Sequence, residues 1–458
     1  MTELEKYQEK YRQMTETPVK RLVCRMAVPT IISMLITSFY NMADTFFVGR
    51  INTSATASVG IVFSLMAIIQ AVGFLFGQGS GNYISRKLGE QKREEASRMA
   101  ATGFFSAICA GLVIAVVGLL FLTPIARLLG ATDTILPYAE DYMRFILIGA
   151  PYMTASLVLN NQLRLQGNAF YAMLGLTSGA VLNIALDPLF IFGLHLGTGG
   201  AALATILSQL VSFVVLLIGC QRGGSLPIRP KMFSPSLARY RAILGGGLPS
   251  LCRQGLASAA IICLNLAAGS YGDSAIAAMS IVNRVTMFAS SALLGFGQGF
   301  QPVCGFNYGA KRFDRVREAY WFCVRVALVA LSLLAVTGFV FAPSIITAFR
   351  GDDAQLIGIG ARALRLQCVS FPLLGWIIPC NMMLQNIGKT FKASLLSVAR
   401  QGLFFLPLVF LLPVWWGIFG VQICQPIADI LTFFLSVPLG YSVLRELREG
   451  SLPGTPAN

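Results

Sequence analysis

The four residues Phe76-Gly77-Gln78-Gly79 recur in the same order as Phe296-Gly297-Gln298-Gly299. A four-residue run repeated after 220 residues is not easily chance, even in an apolar chain, when single residues keep the same register. The sequence therefore predicts two consecutive copies of one structural unit. The single residues that repeat at this separation include Pro29 and Pro249, Gly49 and Gly269, Ala57 and Ala277, Gly89 and Gly309, and Gly197 and Gly417.

Apolar stretches recur along the whole chain of 458 residues, of which 55% are apolar and only 12% are charged. Each stretch is close to the roughly 20 residues that a helix needs to cross a bilayer. A soluble helical protein would need polar helix faces, and few are visible. We therefore predict an all-α integral membrane protein with twelve transmembrane helices, at residues 26–48, 57–81, 100–122, 138–159, 169–192, 199–219, 243–268, 275–300, 319–341, 361–383, 394–414 and 419–441.

Each copy contains six predicted helices, so both copies enter the membrane in the same orientation. The expected result is two pseudo-symmetric six-helix bundles with a cavity between them. We assign residues 1–220 to an N-terminal lobe (N-lobe) and residues 242–458 to a C-terminal lobe (C-lobe). Residues 221–241 are predicted to be a cytoplasmic linker, because they hold Gly223-Gly224, three prolines and five basic residues.

The basic residues follow the predicted helices. The net charge is +15, and 25 of the 35 lysines and arginines lie in the termini and in alternate loops. This is the positive-inside pattern, so we expect both termini on the cytoplasmic side. Because the basic residues do not form one patch, no nucleic-acid partner is expected. The first 25 residues contain no apolar segment typical of a removable signal peptide.

Neither a cofactor nor a tightly bound metal is expected. The ten cysteines lie mostly within apolar stretches and form no C-x-x-C pair, so they are interpreted as small buried apolar residues.

Three acidic residues lie inside the predicted helices and away from their ends: Asp44, Asp187 and Asp429. The other seventeen lie at helix ends, in loops or in the termini. A carboxylate at bilayer depth is costly unless it faces a partner or a wet cavity, so it marks an ion or substrate pathway. At the repeat separation of 220 residues, Leu264 stands at the position that corresponds to Asp44. Leu406 or Pro407 stands at the position that corresponds to Asp187. The scaffold is duplicated, but this buried charge is not.

The fifth predicted helix places an amide and a carboxylate on one face, since Asn183 and Asp187 are four residues apart. Pro188 follows directly. It lacks an N–H group and bends the helix, which would leave the carbonyl of Ile184 without its helical donor. A bent helix with a free carbonyl beside a carboxylate is a plausible cation site.

Carboxylate, amide and hydroxyl oxygens are the ligands that a hard cation such as Na⁺ prefers. The same two carboxylates could instead take up a proton, because close like charges away from water favour the neutral acid. The alternative is a structural hydrogen-bond network between helices. The predicted cation ligands are Asp44, Asn160, Asn183, Asp187 and Thr205.

Asp429 has two interpretations. In the first, Asp429 attracts a cationic substrate from the C-lobe side. In the second, it pairs with a nearby arginine such as Arg284 or Arg400. We include Asp429 and Arg284 as candidate substrate-binding residues.

At this point the sequence resembles the multidrug and toxic compound extrusion (MATE) family, over essentially the whole chain. The similar segments are YNMADTFFVGR at 40–50, FGQGSGN at 76–82, RLQGNAFYAM at 164–173 and N-x-x-x-D-P at 183–188. The most similar branches are bacterial and carry an acid in the first and fifth helices. A second branch carries acids in the seventh and tenth helices, and this chain has none there.

The resemblance implies a multidrug efflux transporter with a cation site in the N-lobe, in the cytoplasmic membrane of a bacterium. We therefore predict an antiporter, driven by Na⁺ or H⁺, that exports organic, cationic amphiphiles. Its partners would be small organic substrates and membrane lipid, and we expect it to act as a monomer.

Two other functions remain as alternatives. A lipid-linked oligosaccharide flippase shares the two-lobe plan, with Arg284 and Arg400 as its candidate phosphate ligands. An intramembrane aspartyl enzyme would need Y-D and G-x-G-D motifs, but Asp44 follows Ala43 and Asp187 follows Leu186. We therefore expect no enzyme activity.

Overall fold

A computed structural model describes residues 3–51, 53–222, 226–349 and 353–450. The described residues form helices joined by turns and short loops, and the twelve long apolar helices confirm the predicted number of spans. The first half holds α1 (Glu3–Glu16), α2 (Val19–Gly49), α3 (Thr53–Gly89), α4 (Arg93–Leu120), α5 (Leu122–Leu128), α6 (Leu136–Leu165), α7 (Ala169–Pro188) and α8 (Gly197–Cys220). The second half holds α9 (Leu237–Gly269), α10 (Asp273–Gly309), α11 (Phe313–Val340), α12 (Ala342–Phe349), α13 (Ala354–Asn386), α14 (Thr390–Val398), α15 (Leu406–Trp416) and α16 (Ile418–Glu449).

Several helices are longer than the apolar stretches that predicted them. The stretches ending at residues 81 and 300 belong to α3 and α10, which continue to Gly89 and Gly309. Hydropathy marks where a helix leaves the hydrocarbon, whereas backbone hydrogen bonding continues beyond it. Similarly, α9 begins at Leu237, inside the predicted 221–241 linker. Gly223-Gly224 of the linker and residues 451–458 of the predicted C-lobe lie outside the described residues.

The helices form two bundles with separate apolar cores. One core lies within the N-lobe and includes Tyr142 and Ile206, and another lies within the C-lobe and includes Phe371 and Val409. A third core takes residues from both halves, from Met14 to Leu447. This shared core lies at the end of the molecule where α1 packs and α16 ends, which we call the terminal face.

The repeated glycines explain how closely the lobes meet there. A Cβ atom on Gly79 would lie 2.1 Å from the carbonyl oxygen of Ile243 in the C-lobe. A Cβ atom on Gly299 would lie 2.3 Å from the Cα of Ala27 in the N-lobe. Each copy of the FGQG motif therefore ends in a glycine that lets its helix touch the opposite lobe. We call these contacts the seal.

The seal ends partway along the helices. Thr30 Oγ1 donates a hydrogen bond to the carbonyl of Gly295 at 2.6 Å, and the hydroxyls of Ser38 and Ser291 lie 2.9 Å apart. Beyond this point, Met42 on α2 is 49% exposed. The lobes are therefore closed at the terminal face and part toward the opposite face.

The short helix α1 connects both lobes across the terminal face. Lys10 Nζ donates to the carbonyl oxygen of Gly167 in the N-lobe at 2.6 Å. Asn307 of the C-lobe donates to the carbonyl of Met14 at 3.1 Å, and the Met14 side chain is fully buried. This polar helix is therefore part of the folded core and holds the lobes together.

Candidate functional site

The structure brings two of the three intramembrane acids together. Asp44 on α2 and Asp187 on α7 lie close enough for their carboxyl groups to interact directly. Asp187 is completely buried, and Asp44 is partly exposed. Neither acid forms an ion pair with a lysine or arginine among the residues that the structure describes. Two acids thus share one site without a positively charged side chain to balance them.

Asn183 and Thr205 complete this site as the sequence predicts. Asn183 Nδ2 lies 3.4 Å from Asp187 Oδ1 and also 3.4 Å from Thr205 Oγ1. The Thr205 hydroxyl donates to the carbonyl of Ala201 at 3.0 Å, so its lone pairs face the site. Helix spacing produces this arrangement, because residues four apart on α7 share a face.

Three oxygen atoms in the site are buried and have no hydrogen-bond partner among the described residues. They are Asp44 Oδ1, Asp187 Oδ2 and Asn183 Oδ1. A buried acceptor without a partner is costly, and native structures usually supply one. Oxygen acceptors without donors are what a hard cation or a proton would satisfy. We call Asp44, Asn183, Asp187 and Thr205 the oxygen site.

A cavity of about 140 Å³ inside the N-lobe leads to the oxygen site. Its lining includes Asn183, Thr205, Asn160 and Gln209, together with Tyr40 of α2. The cavity also reaches Gln298 of the C-lobe, at the seal. An ion or small ligand in this cavity would therefore contact both the oxygen site and the junction between the lobes.

Two tyrosines near the acids were missed by the sequence analysis. Tyr40 lies one helical turn before Asp44 and close to both carboxyl groups. Tyr142 on α6 is almost fully buried and lies close to Thr205. The four-residue spacing on α2 could have identified Tyr40. Nothing in the local sequence places Tyr142 near the acids, because α6 meets them only in the folded bundle.

Asn160 has a different position from the other predicted ligands. It lines the cavity, but its amide donates to the carbonyl of Ala172 at 3.0 Å. The C-lobe contains the equivalent bond, from Asn381 to the carbonyl of Ala393 at 2.9 Å. This hydrogen bond belongs to the duplicated scaffold, and the side-chain oxygen of Asn160 is the atom that could bind a cation.

Pro188 lies where the helical hydrogen bonding changes. It ends α7, and a π-helical turn, Leu189–Gly193, follows. In that turn the N–H of Leu194 donates to the carbonyl of Leu189 at 2.9 Å. In the C-lobe the π-helical segment Ala399–Phe405 instead precedes Pro407. The irregular backbone therefore lies on opposite sides of the two prolines.

Asp429 lies in the other lobe and has a full set of partners. It is completely buried on α16, and Arg400 Nε lies 2.7 Å from its Oδ1. Its remaining hydrogen bonds come from Gln425 at 2.9 Å, Gln367 at 3.1 Å and Ser370 at 3.0 Å. Of the two predicted arginine partners, the structure selects Arg400. Arg284 is exposed on α10 and is not brought to Asp429.

A substrate could reach the Asp429 carboxylate only if these bonds opened. Among the described residues, no group of three or more His, Cys, Asp or Glu side chains is placed to hold a metal.

Two bundles of spanning helices, separated by a cleft that is closed at one end, define a multi-pass membrane transporter. The MatE family model matches residues 29–189 and again residues 249–411, once in each half. The chain therefore belongs to the MATE family, which confirms the resemblance found in the sequence.

Relatives and solved structures of this family align over almost the whole chain. The multidrug export protein MepA of Staphylococcus haemolyticus is 28% identical, over 94% of this chain and 95% of that protein. MepA of Staphylococcus aureus strain N315 is 26% identical over 93% and 94%.

A MATE protein crystallised with MaL6 superposes with a TM-score of 0.90 at 27% identity, covering 96% of this chain and 99% of that one. An outward-facing multidrug resistance MATE transporter superposes with a TM-score of 0.89 at 28% identity, covering 95% and 98%.

Proposed function

We propose that this protein is an antiporter that exports organic compounds in exchange for Na⁺ or H⁺ bound at the oxygen site. The observation that carries this proposal is the pair of acids, Asp44 and Asp187, which share a buried site with three unpartnered oxygen atoms and no basic partner. A cation or proton would balance their charge. The names of the staphylococcal relatives, which are multidrug export proteins, support export of small organic molecules.

The helix α2 provides a physical route from ion binding to the opening of the cleft. Asp44 lies on the same helix as Ala27 and Thr30, which form the seal with Gly299 and Gly295. α2 also contains Pro29, whose missing N–H weakens the helix beside those contacts. A cation that draws Asp44 toward Asp187 would displace α2 and so disturb the seal. Ion binding would then shift the balance between the two open states.

The direction of export follows from the charge distribution. With basic residues on the cytoplasmic side, the terminal face would be cytoplasmic and the open cleft would face outward. We propose that the protein lies in the cytoplasmic membrane of a bacterium and acts as a monomer. We also propose that its substrates are amphiphiles with a cationic group, which the N-lobe acids attract when the coupling ion leaves.

The test is efflux from proteoliposomes with the Na⁺ gradient and the pH gradient imposed separately. A cationic dye loaded into the vesicles should leave faster when either gradient is applied than when both are absent. Efflux that is equally fast without any gradient would show a passive facilitator and contradict the antiport mechanism.

The matched control for the site is Asp133→Asn, which neutralises an exposed acid paired with Arg127 far from the cleft. That variant should retain both gradient responses.

A further inference from the structure

The C-lobe contains a cavity of about 280 Å³, which is larger than the cavity of about 140 Å³ beside the oxygen site. Its walls come from α9, α10, α13, α16 and the irregular segment between α14 and α15. The charged side chains that line it are Arg253 and Arg400, and no aspartate or glutamate is among its lining residues in the described chain. The C-lobe cavity is therefore lined by positive charge, whereas the N-lobe cavity has a neutral lining that reaches the two acids through Asn183 and Thr205.

Arg253 is the unexplained group in this cavity. It lies in the middle of α9 and makes no hydrogen bond or ion pair with any residue that the structure describes. The guanidinium stays charged in proteins, and an unpaired charge at bilayer depth is costly. Arg164 of the N-lobe lies close enough to add to the positive potential around it. An anion at Arg253 would remove this unfavourable state.

Asp429, the buried acid beside this cavity, does not act as the counter-ion of Arg253. Asp429 already accepts hydrogen bonds from four side chains, one of them Arg400. Its charge is therefore balanced by Arg400, and Arg253 remains without a counter-charge. The terminal nitrogens of Arg400 make no hydrogen bond to a described residue, so they are also free to donate into the cavity.

We propose that the C-lobe cavity binds the carboxylate of an exported amphiphile, with Arg253 as the principal contact and Arg400 as a second donor. A guanidinium presents parallel N–H groups that match the two oxygens of a carboxylate. Gln254 and Gln401 line the same cavity and offer further amide donors, while Met279 and Met287 provide an adaptable apolar wall.

This assignment rests on the proposed export of organic compounds and extends its substrate class. A molecule with a cationic group and a carboxylate would find a complementary charge in each lobe. Zwitterions should therefore bind better than cations of the same shape.

Two rhodamine dyes test this difference with one change of structure. Rhodamine 110 carries a free carboxylate, and rhodamine 123 is its methyl ester. Binding of each dye to the purified full-length protein is followed by fluorescence anisotropy, without an ion gradient. The wild-type protein should bind rhodamine 110 more tightly.

Arg253→Gln should weaken binding of rhodamine 110 by about tenfold or more, as expected when a charge-assisted bidentate contact is lost. The same variant should change rhodamine 123 binding by less than about threefold, which also shows that it is folded. Arg253→Lys should keep part of the preference, because it keeps the charge. Arg325→Gln, which removes an exposed arginine on α11, should change neither dye.

An equal loss for both dyes, or no loss for either, would overturn the assignment. So would failure of the wild-type protein to bind rhodamine 110. If phosphatidylglycerol displaces rhodamine 110 from the wild-type protein and its own binding is lost in Arg253→Gln, the cavity holds a lipid phosphate instead. Because these measurements use no gradient, a protein that fails the antiport test can still give the expected binding result.

Discussion

The two lobes share their backbone contacts but differ in their buried charges. Gly79 and Gly299 form matching halves of the seal, and Asn160 and Asn381 make the same hydrogen bond in each copy. In the N-lobe, however, two acids lie together without a basic partner among the described residues, whereas the C-lobe cavity is lined by Arg253 and Arg400, and Arg400 pairs with the buried Asp429. Contacts that close the lobes constrain both copies, and cavity side chains are free to differ.

The repeat register shows where this difference arises. Arg253 takes the place of Ser33, and Arg400 takes the place of Ala180. In the other direction, Asp44 is replaced by Leu264. Each of these charges therefore stands at a position that is neutral in the other lobe, which places Asp44 beside the N-lobe cavity and two arginines at the C-lobe cavity.

The largest effect is expected from neutralising the N-lobe acids. Asp44→Asn and Asp187→Asn should each reduce gradient-driven efflux to the background of empty vesicles, because the site loses the charge that attracts the coupling ion. Both variants should fold, since the acids have no basic partner that would be left unpaired. Efflux assays on reconstituted protein, with Asp133→Asn alongside, measure this. Full transport by both neutralised proteins would refute the coupling site.

Neutralising Asp429 in the C-lobe should have a different effect from neutralising the N-lobe acids, because it should lower the stability of the fold. Asp429→Asn leaves the partly buried Arg400 without its counter-charge. Breaking a fully buried pair typically costs about 3–5 kcal/mol, which is the upper limit for this variant. Replacing both, as Asp429→Asn with Arg400→Gln, should restore part of that loss.

Thermal unfolding in detergent compares these variants with Asp187→Asn, which should be near wild type. Equal destabilisation by Asp187→Asn and Asp429→Asn would remove the proposed contrast between a structural pair and an ion site.

The glycines of the seal should affect both lobes equally. Gly79→Ala and Gly299→Ala each place a Cβ atom within 2.1–2.3 Å of the opposite backbone, where no flexible side chain can yield. We expect each variant to open the terminal face. A cysteine introduced there, on a background without native cysteines, should react faster with a thiol reagent.

Gly255→Ala is the matched control, because its Cβ would meet nothing within 4 Å. A strong response from only one of the two seal variants would show that the copies do not share the contact.

The smallest effect is expected from substituting two prolines beside the π-helical segments, Pro188 in the fifth span and Pro407 in the eleventh. Pro188→Ala should slow efflux while leaving dye binding near normal, because the π-helical turn beside Asp187 would relax toward a regular helix. Pro407→Ala should largely spare transport, since no acid adjoins it. Initial efflux rates and dye affinities measured together separate these effects. Equal impairment by both variants would assign the prolines to the shared scaffold.

Much of this fold could be predicted because each helix that crosses a bilayer needs about 20 apolar residues, and such stretches are visible in the sequence. The twelve helices follow from hydropathy, and the grouping of Asp44, Asn183, Asp187 and Thr205 follows from the cost of burying acids together with helix spacing. For the partner of Asp429, the sequence offered two candidates, Arg284 and Arg400. Which one faces the acid depends on the rotation of each helix, and hydropathy does not determine that rotation.

Other parts depend on contacts between distant segments. The role of Arg253 was missed because a single arginine in an apolar stretch looks the same whether it faces lipid, water or a cavity. Tyr142 approaches Thr205 from another helix, without a sequence signal. The helix α1 is polar and gave no hint that Met14 would be fully buried.

That last contact bears on how the protein is made. Met14 receives its hydrogen bond from Asn307, which lies 293 residues further along the chain, and Thr17 receives one from Arg315. During synthesis, the amino-terminal segment can therefore form these two hydrogen bonds only after the eighth and ninth spans have been made. In a chain arrested after its first six spans, Lys10 could still contact Gly167, but Met14 would lack the hydrogen bond from Asn307. Complete docking of α1 thus requires both halves of the protein.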